Sequence, residues 1–532
     1  MDSPASHNQR QNGTTQSHAL LLFGFLPLNW ALFAVVVIGF ATYYYYRRPK
    51  GIPPGPNGVP VLGYTPFLGQ KPAEKVLELS KQYGNVFSIY LGSQLTVILN
   101  DYDAIKTAYN DYSDIFVDRK PGFAHRALNG ASNGPINGGP DLRVRGLTMT
   151  NGDQWRTMRR FALTTLRNLG MGKSRLQERI LEEIDFFCET LRSKKMKPVE
   201  PDNLMIACIA NIMFAVCFDK RFDHSNPQFK SIVDFLIIAL PTLSNIGALQ
   251  LFPWLRLIPG KFQKFWATFR REVTQLRSIF AEELAIHEKK YKEEHGDVRD
   301  YVDAFYDQQQ KEGEQGSTPN YFDDDELLVE ISNFFGAGAE TTATTITWAY
   351  YFIVRHPDVQ KKMQEEIDMK VGRGRHVTTE DKAKLTYVEA VCSEVARMGS
   401  VVPLGIGRST TEDVQMNGYT IPKGTYIMPN LWFIHHDPKH WGPDANEFKP
   451  ERFLDSEGRV LNPPSFMPFS IGKRHCPGES LARMEVFLFV TNVLQNFNLR
   501  LEEGYTLKPP EDYINGLTTR PPRFDVIFEP RD

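Results

Sequence analysis

The sequence lacks the features that mark several large classes of protein. Its five cysteines are widely scattered and no two form a C-x-x-C pair, which excludes a disulfide framework and a cysteine-based zinc site. Lysine and arginine number 61 against 63 acidic residues, so a net charge of −2 gives no general attraction to nucleic acid. There is no internal repeat and no glycine-rich fingerprint for a flavin or a dinucleotide. What remains is a large globular chain of a reducing compartment, in which most thiols should be small buried hydrophobes.

One long uncharged segment lies near the start of the chain. Residues 19–46 contain no charged side chain, which is enough to cross a bilayer core of about 30 Å. Arg47, Arg48 and Lys50 follow at once, and this positive flank predicts a single-pass anchor with the body in the cytoplasm. A cleaved signal peptide is the alternative, but the segment is too long and has no small-residue cleavage site. We expect a luminal tail at 1–18, an anchor at 19–46, a basic proline-rich hinge at 47–60 and a catalytic domain at 61–532.

The body is dominated by helical patterns. Apolar residues recur at three- and four-residue spacing in most of it, which predicts helices. Three stretches alternate in the manner of strands, at 86–101, 418–430 and 523–530. The predicted fold class is mainly α with small, mostly antiparallel β-sheets. The clearest predicted helices are 72–84, 175–194, 326–357 and 358–372.

A lone cysteine stands in a loop built of glycines and cations. Cys476 lies between Gly472 and Gly478 and directly follows the run Lys-Arg-His. Cations and backbone N–H groups keep a thiolate ionised. One thiolate without neighbouring ligands suits a metal whose other positions are already filled, which is the situation of haem iron. The alternative is an inert core cysteine.

Three further motifs need a buried or functional setting. Glu394 and Arg397 share one face of an apolar helix, and a buried pair of this kind needs a further partner, for which Arg452 in "FKPERF" is available. The stretch "GAGAETT" at 336–342 places two glycines and a carboxylate inside a long apolar helix, a local conflict expected at functional sites. In "WRTMRR", Trp155 and Arg159 lie on one helical face.

Taken together, these motifs resemble the cytochrome P450 superfamily. "FSIGKRHCPG" at 469–478 is similar to the F-x-x-G-x-R-x-C-x-G haem loop, and the likeness is strongest to microsomal, family-2-type enzymes of animals. The resemblance implies the cytochrome P450 fold and a haem, iron protoporphyrin, with Cys476 as its thiolate ligand. It implies that Glu340 and Thr341 relay protons and that Ala337 and Gly338 open a groove for dioxygen. The residues implied to contact the haem are Trp155, Arg159, Arg408 and Arg474, and those implied to lock the haem loop are Glu394, Arg397 and Arg452.

The resemblance also implies an activity and its partners. The expected reaction is insertion of one oxygen atom from dioxygen into a lipophilic small molecule, such as a fatty acid, steroid or xenobiotic. Electrons would come from NADPH–cytochrome P450 reductase, with cytochrome b5 as an optional further partner, at the endoplasmic reticulum membrane. A cationic face of Arg156, Arg160 and Lys473 would attract the reductase. The alternatives are a haem-thiolate hydroperoxide isomerase and a non-catalytic membrane haem protein.

The sequence leaves the substrate open. A Gly/Asn-rich insert between Arg119 and Trp155, and the residues after Arg397, depart from familiar members of the group where selectivity is set. The segment 252–260, "FPWLRLIPG", resembles the part of such enzymes that enters the bilayer beside the substrate entrance.

Overall fold

The computed structural model of the 532-residue chain describes most of the sequence. The described residues are 32–40, 48–130, 143–169, 174–239, 243–294, 298–316, 319–516 and 518–531. Two compact units are present, one of Met1–Lys50 with Val59–Val61 and one of Gly51–Gly58 with Leu62–Asp532.

In the smaller unit, residues 32–40 form a helix, α1, with exposed side chains. The rest of the predicted anchor at 19–46 and all of the predicted tail at 1–18 lie outside the described residues. Within the described ranges, no helix combines the length and the apolar character that a membrane crossing requires.

The larger unit is mainly helical, as the spacing of its apolar residues predicts. Its helices are α2 (Pro72–Tyr83), α3 (Tyr102–Lys106), α4 (Phe123–Asn129), α5 (Gly152–Asn168), α6 (Ser174–Ser193), α7 (Asp202–Phe218), α8 (Pro227–Asp234), α9 (Leu243–Leu251), α10 (Lys261–Glu294), α11 (Tyr301–Glu314), α12 (Asp324–Arg355), α13 (Pro357–Lys370), α14 (Thr386–Gly399), α15 (Leu431–His436), α16 (Pro438–Trp441) and α17 (Glu479–Asn496). Two π-helical segments, Thr107–Asp111 and Phe235–Ala239, follow α3 and α8.

The strands are short and form small sheets. They are β1 (Val86–Leu91), β2 (Gln94–Leu99), β3 (Arg408–Ser409), β4 (Val414–Met416), β5 (Tyr419–Ile421), β6 (Tyr426–Pro429), β7 (Phe497–Arg500), β8 (Ile514–Asn515), β9 (Thr519–Arg520) and β10 (Ile527–Pro530). The largest sheet has the order β1-β2-β6-β3, and three further pairs are β10-β7, β4-β5 and β8-β9. Only β2 and β6 pair in parallel among the described strands, so the prediction of mostly antiparallel sheets is confirmed.

Helix α12 forms the centre of the larger unit. It packs against α7, α10, α13, α14 and α17, and most of its side chains are buried. Asp323 caps its first turn by accepting from Glu326 N at 2.7 Å, and three acidic residues in that turn favour the helix N-terminus. The helix ends at Arg355 because Pro357 cannot continue it. Its middle therefore lies deep inside the protein, which makes any exposed residue there informative.

Candidate functional site

The cysteine loop, residues 466–478, leads directly into α17. Cys476 lies three residues before the first residue of that helix, where the partial positive charge of a helix N-terminus favours a thiolate. Its backbone N–H donates to Phe469 O at 3.0 Å, and the backbone N–H of Gly478 bonds the sulfur. Burial raises the pKa of the Cys476 thiol, whereas the Gly478 bond and Arg159 lower it. A coordinated metal would stabilise the thiolate that burial disfavours.

The loop is folded tightly against the π-helical segment that follows α3. Gly472 has a φ of +75°, and a Cβ at this position would lie 2.0 Å from the carbonyl oxygen of Tyr109. Only glycine fits both the backbone angle and the contact. The glycine of the sequence motif therefore fixes the path of the loop before it reaches Cys476.

Two of the sequence-predicted arginines hold the loop by its backbone. Arg159 on α5 donates from Nη2 to His475 O at 2.7 Å. Arg408 on β3 donates from Nη2 to Ile471 O at 2.5 Å, and its guanidinium lies over the Tyr109 ring, 3.5 Å from the centroid. Both arginines thus connect the loop to separate parts of the fold.

Arg474, inside the loop, reaches outward to the start of α5. It donates to Val117 O at 2.9 Å and to Thr150 O at 2.7 Å. Its guanidinium stacks on the Trp155 ring, 3.8 Å from the centroid. The structure therefore brings together all four residues that the sequence predicts to contact a haem, namely Trp155, Arg159, Arg408 and Arg474.

A fourth buried arginine, Arg119, completes the cluster. It donates from Nη1 to the backbone oxygens of Ile406 and Gly407, the latter at 2.7 Å, and it is 8% exposed. Burial, together with the charges of the neighbouring arginines, lowers the pKa of Arg408 to about 10 and of Arg474 to about 8. The Asp118 carboxylate raises the pKa of Arg474, but by less than any of the three arginines lowers it.

This arginine cluster is built for an anion. Among the described residues, none of the four arginines forms an ion pair with a carboxylate. Three buried donors in the cluster, Trp155 Nε1, Arg408 Nη1 and Arg119 Nε, have no hydrogen-bond partner in the described part of the chain. Unpaired buried donors and unneutralised buried charge are both costly, so they fit a bound group that supplies negative oxygens. The two propionates of a haem have this chemistry, and the haem expected from the sequence fits the residues present.

The middle of α12 is open along one face. Ala337 is exposed although it lies at the centre of a buried helix. Thr341, one turn later, is half-buried, and its hydroxyl donates to Ala337 O at 2.7 Å. A Cβ at Gly336 would meet no atom within 4 Å, whereas one at Gly338 would lie 2.9 Å from Met213 Sδ on α7. The open face of the helix is thus formed by Gly336, Ala337 and Thr341, while Gly338 accommodates close packing by α7.

Glu340 points to a different neighbourhood from Thr341. Its Oε1 accepts from the Thr518 hydroxyl and from Arg520 Nη2, the latter at 3.1 Å. Arg520 also donates to Asp202 of α7 at 3.0 Å. The carboxylate is therefore held in an ion-pair network between β9, α7 and α12, and it is 5% exposed.

The Glu394 cluster has the geometry that the sequence predicts. Arg397 forms two bonds of 2.7 Å with the Glu394 carboxylate, and Arg452 Nε lies 3.0 Å from its Oε1. Arg397 also donates to His435 O at 2.5 Å and to Ala445 O at 2.7 Å. These bonds connect α14 to the segment that precedes the cysteine loop, so the cluster stabilises the part of the chain from which the loop starts.

The remaining cysteines differ from Cys476. Cys188, Cys208 and Cys217 are buried on α6 and α7, as expected for small hydrophobes, and burial raises the pKa of each thiol. Cys392 on α14 is partly exposed as a residue, and burial of its sulfur likewise raises its pKa. Only Cys476, among these five, lies on a loop beside the arginine cluster.

The proposed cationic face is exposed. Arg156 and Arg160 lie on the outer side of α5, and Lys473 lies on the cysteine loop. Arg156 forms an ion pair with Asp153 at 2.7 Å, and Lys473 pairs with Asp114. Both pairs are largely solvated, so their cations remain accessible to a charged partner.

Sequence reasoning missed four residues of the site. Arg119 stands between Asp118 and Lys120 and therefore looks like part of a solvated charge run. Tyr109, Thr518 and Arg520 carry no local motif, because each acts through a contact with a residue far away in the sequence. No signal in the single sequence identifies these long-range contacts.

Comparison with known proteins agrees with this geometry. The sequence profile of the family described as Cytochrome P450 matches residues 53–528. Cytochrome P450 2C39 of Mus musculus is 35% identical over 497 residues, covering 90% of this chain and 94% of that protein. Cytochrome P450 2U1 of Rattus norvegicus is 33% identical, covering 91% of this chain and 92% of that protein. Cytochrome P450 2C8 of Homo sapiens is 33% identical, covering 91% and 95%. The chain therefore belongs to the cytochrome P450 family of monooxygenases, which bind haem through a cysteine thiolate.

Proposed function

We propose that this protein inserts one oxygen atom from dioxygen into a lipophilic small molecule, using electrons from NADPH–cytochrome P450 reductase. The observation that carries the proposal is the position of Cys476 on a loop held by a cluster of four buried arginines, none of which has a carboxylate partner among the described residues. Cys476 is proposed as the haem ligand, and Trp155, Arg408 and Arg119 are proposed to bind the propionates with their unpaired donors. When bound, haem supplies the redox chemistry that activates dioxygen and oxidises a substrate carbon.

The protein contributes a proton source and a restricted space. Thr341 is proposed to pass a proton to the open face beside Ala337, since rotation of its hydroxyl away from Ala337 O redirects the hydrogen. Glu340 is proposed to resupply that proton. Its Oε1 accepts from Arg520, so the other carboxylate oxygen, Oε2, would carry the transferred hydrogen.

The proposed setting is the endoplasmic reticulum membrane. Residues 19–46 are proposed as a single-pass anchor, with the larger unit in the cytoplasm. Trp254, Leu257 and Ile258 are 46%, 67% and 50% exposed, and such a group of large apolar side chains suits contact with lipid. Arg156, Arg160 and Lys473 are proposed to meet the acidic surface of the reductase, with cytochrome b5 as an optional further partner.

Reconstitution with purified reductase tests the proposal. A panel of fatty acids, steroids and foreign lipophilic compounds is incubated with NADPH under isotopically labelled dioxygen, and the expected product carries one labelled oxygen atom. Thr341→Ala should lower product per NADPH consumed, while Thr345→Ala, one turn further along the same helix, serves as the matched control. Turnover of a lipid hydroperoxide without reductase would instead show an isomerase. A haem spectrum that does not shift when substrate is added, together with no consumption of NADPH, would show a non-catalytic haem protein.

A further inference from the structure

A buried histidine connects the Glu394 cluster to the cysteine loop. His435, on α15, is 1% exposed, and its Nδ1 lies 2.9 Å from the hydroxyl of Ser400 at the end of α14. On its other side, Nε2 lies 3.2 Å from the backbone nitrogen of Met467, which is the second residue of the cysteine loop. One imidazole thus joins two elements that the chain separates by many residues.

The direction of each hydrogen bond follows from the groups involved. A backbone N–H can only donate, so Nε2 of His435 accepts from Met467 and carries no hydrogen. The ring hydrogen is then on Nδ1 and is donated to the Ser400 hydroxyl, which donates in turn to Arg397 O at 2.8 Å. The arrangement requires the neutral imidazole in one tautomer.

The surroundings favour that neutral form. Burial lowers the pKa of His435 well below its usual value, and His436 on α15 and Arg397 on α14 lower it further. The Arg397 charge is itself neutralised by the Glu394 carboxylate, 2.7 Å from Arg397 Nε. From the cysteine loop, the neighbouring group is the uncharged ring of Phe466, whose centroid lies 6.2 Å from that of His435. Among the described residues, His436 and Arg397 are the charged groups that act on the pKa of His435.

We propose that His435 is a positioning residue, which holds the start of the cysteine loop through the hydrogen bond from Met467 N–H to its Nε2. Protonation of the ring breaks this bond. A protonated Nε2 would face the Met467 N–H as a second donor, so the bond to the loop would be lost. This inference deepens the proposed function, because the loop matters for haem binding only if Cys476 is the ligand. Its consequence is a haem site that loosens in acid before the fold as a whole is lost.

The neighbouring histidine provides a matched control. His436 lies on the same helix, and burial lowers its pKa to about 4. Its Nδ1 bonds the Trp432 carbonyl of its own helix at 2.7 Å, and its ring stacks on the Trp432 ring. His436 is partly buried and has a lowered pKa, and among the described residues its ring has no hydrogen bond with the cysteine loop, so it is a matched control on the same helix.

Hydrogen exchange at the Met467 amide tests the bond between Met467 and His435 without reference to haem chemistry. His435→Phe removes the acceptor, and exchange of this amide should become about tenfold faster, the value expected for loss of one ordinary hydrogen bond. His435→Gln restores an acceptor and should retain the wild-type rate, as should His436→Phe. Wild-type exchange in His435→Phe would overturn the inference. If His435→Phe does not fold, the same comparison is made with Ser400→Ala, which leaves the ring without its orienting partner and should speed exchange at Met467.

An acid titration tests the consequence. The red-shifted absorption band of the reduced, carbon monoxide-bound haem is followed as the pH falls, over the range in which far-ultraviolet circular dichroism is unchanged. The wild type and His436→Gln should lose the band together, whereas His435→Gln, which cannot titrate, should keep it to a pH lower by at least half a unit. Equal midpoints in all three proteins would overturn the inference. Absence of the band in the wild type at neutral pH would instead refute the proposed function. Hydrogen exchange at the Met467 amide would still test whether His435 holds the cysteine loop.

Discussion

Two glycines have the same backbone angle but different surroundings, and this difference gives a sharp test of the cysteine loop. Gly472 and Gly458 both have a φ of +75°. A Cβ at Gly472 would lie 2.0 Å from Tyr109 O, whereas one at Gly458 would meet nothing within 4 Å. Gly458→Ala should cost about 1–2 kcal/mol of stability for the backbone angle alone. Gly472→Ala should cost a further ~1–3 kcal/mol for the clash and should reduce haem retention.

Urea unfolding and the haem content of the purified variants measure both effects. The clash moves the loop that carries Cys476, so the haem content should fall in Gly472→Ala alone. Equal stability and equal haem content in the two variants would contradict the geometry of the loop.

A buried carboxyl on α17 predicts a pH-dependent difference in stability. The pKa of Glu485 is raised to about 8, because burial raises it by more than a hydrogen bond with the Thr342 side chain lowers it. The folded-state pKa is raised, so this group stabilises the fold below its usual pKa and loses that contribution as the pH rises toward 8. Glu485→Gln should match the wild type near pH 4.5 and be a few kcal/mol more stable at pH 8, since one unit of pKa shift corresponds to about 1.4 kcal/mol. A stability difference independent of pH would refute this.

At single positions, the sequence predicts the residues that a motif contains and misses their distant partners. Arg408 and Arg474 were expected at the haem, and the structure places both in the arginine cluster. Arg119 was not expected, because a charge between Asp118 and Lys120 gives no sign that the fold buries it. Gly338 was expected to open a groove, but whether its missing side chain leaves space depends on Met213 of another helix.

The connection between α14 and the segment 435–452, which precedes the cysteine loop, depends on a buried charge cluster. Glu394 and Arg397 are fully buried, and Glu394 also binds Arg452 at 3.0 Å. Glu394→Gln leaves two buried arginines without their shared carboxylate and should cost about 3–5 kcal/mol of stability, measured by urea unfolding. The solvated i,i+4 pair of Lys311 and Asp307 on α11 is the control, and Lys311→Gln should cost less than about 0.5 kcal/mol. Comparable losses in the two variants would mean that the Glu394 cluster contributes no more to the free energy of unfolding than a solvated ion pair.

The sequence predicts the long helices and the strands within 86–101, 418–430 and 523–530 as elements, but it does not predict the two-residue strands. The pattern at 326–357 predicts α12, observed at Asp324–Arg355, and the pattern at 175–194 predicts α6, observed at Ser174–Ser193. Strands such as β3 and β8 have two residues each, which is too short for any alternation to appear. Their positions are set by pairing with partners elsewhere in the chain rather than by local pattern.

For the molecule as a whole, the exposed apolar group at residues 254–258 predicts contact with the bilayer. Leu257 in this group is 67% exposed. Met369 on α13, outside the group, is 78% exposed and therefore provides an equally accessible control position. A polarity-sensitive dye attached to Leu257→Cys of the full chain in vesicles should be quenched by a lipid-embedded quencher, because the apolar group enters the lipid. The same dye at Met369→Cys should not be quenched. Equal quenching at both positions would contradict a specific membrane face.

The organisation of the whole chain was predictable only in part. The helical periodicity predicts a mainly helical body, and the larger of the two observed units is mainly helical. The catalytic domain at 61–532 stays a prediction. The anchor at 19–46 and the Gly/Asn-rich insert are largely outside the described residues and stay predictions. The substrate cannot be read from the sequence, because selectivity depends on how loops distant in sequence meet around the open face of α12.

The most direct test of the account is the difference spectrum of the dithionite-reduced, carbon monoxide-bound protein. Wild type is compared with Cys476→Ser and with Cys392→Ser, which removes the other partly exposed thiol. The account predicts a strongly red-shifted Soret band in the wild type and in Cys392→Ser, and its loss in Cys476→Ser. A band at the position typical of histidine ligation in the wild type, or a red-shifted band that survives in Cys476→Ser, would contradict it.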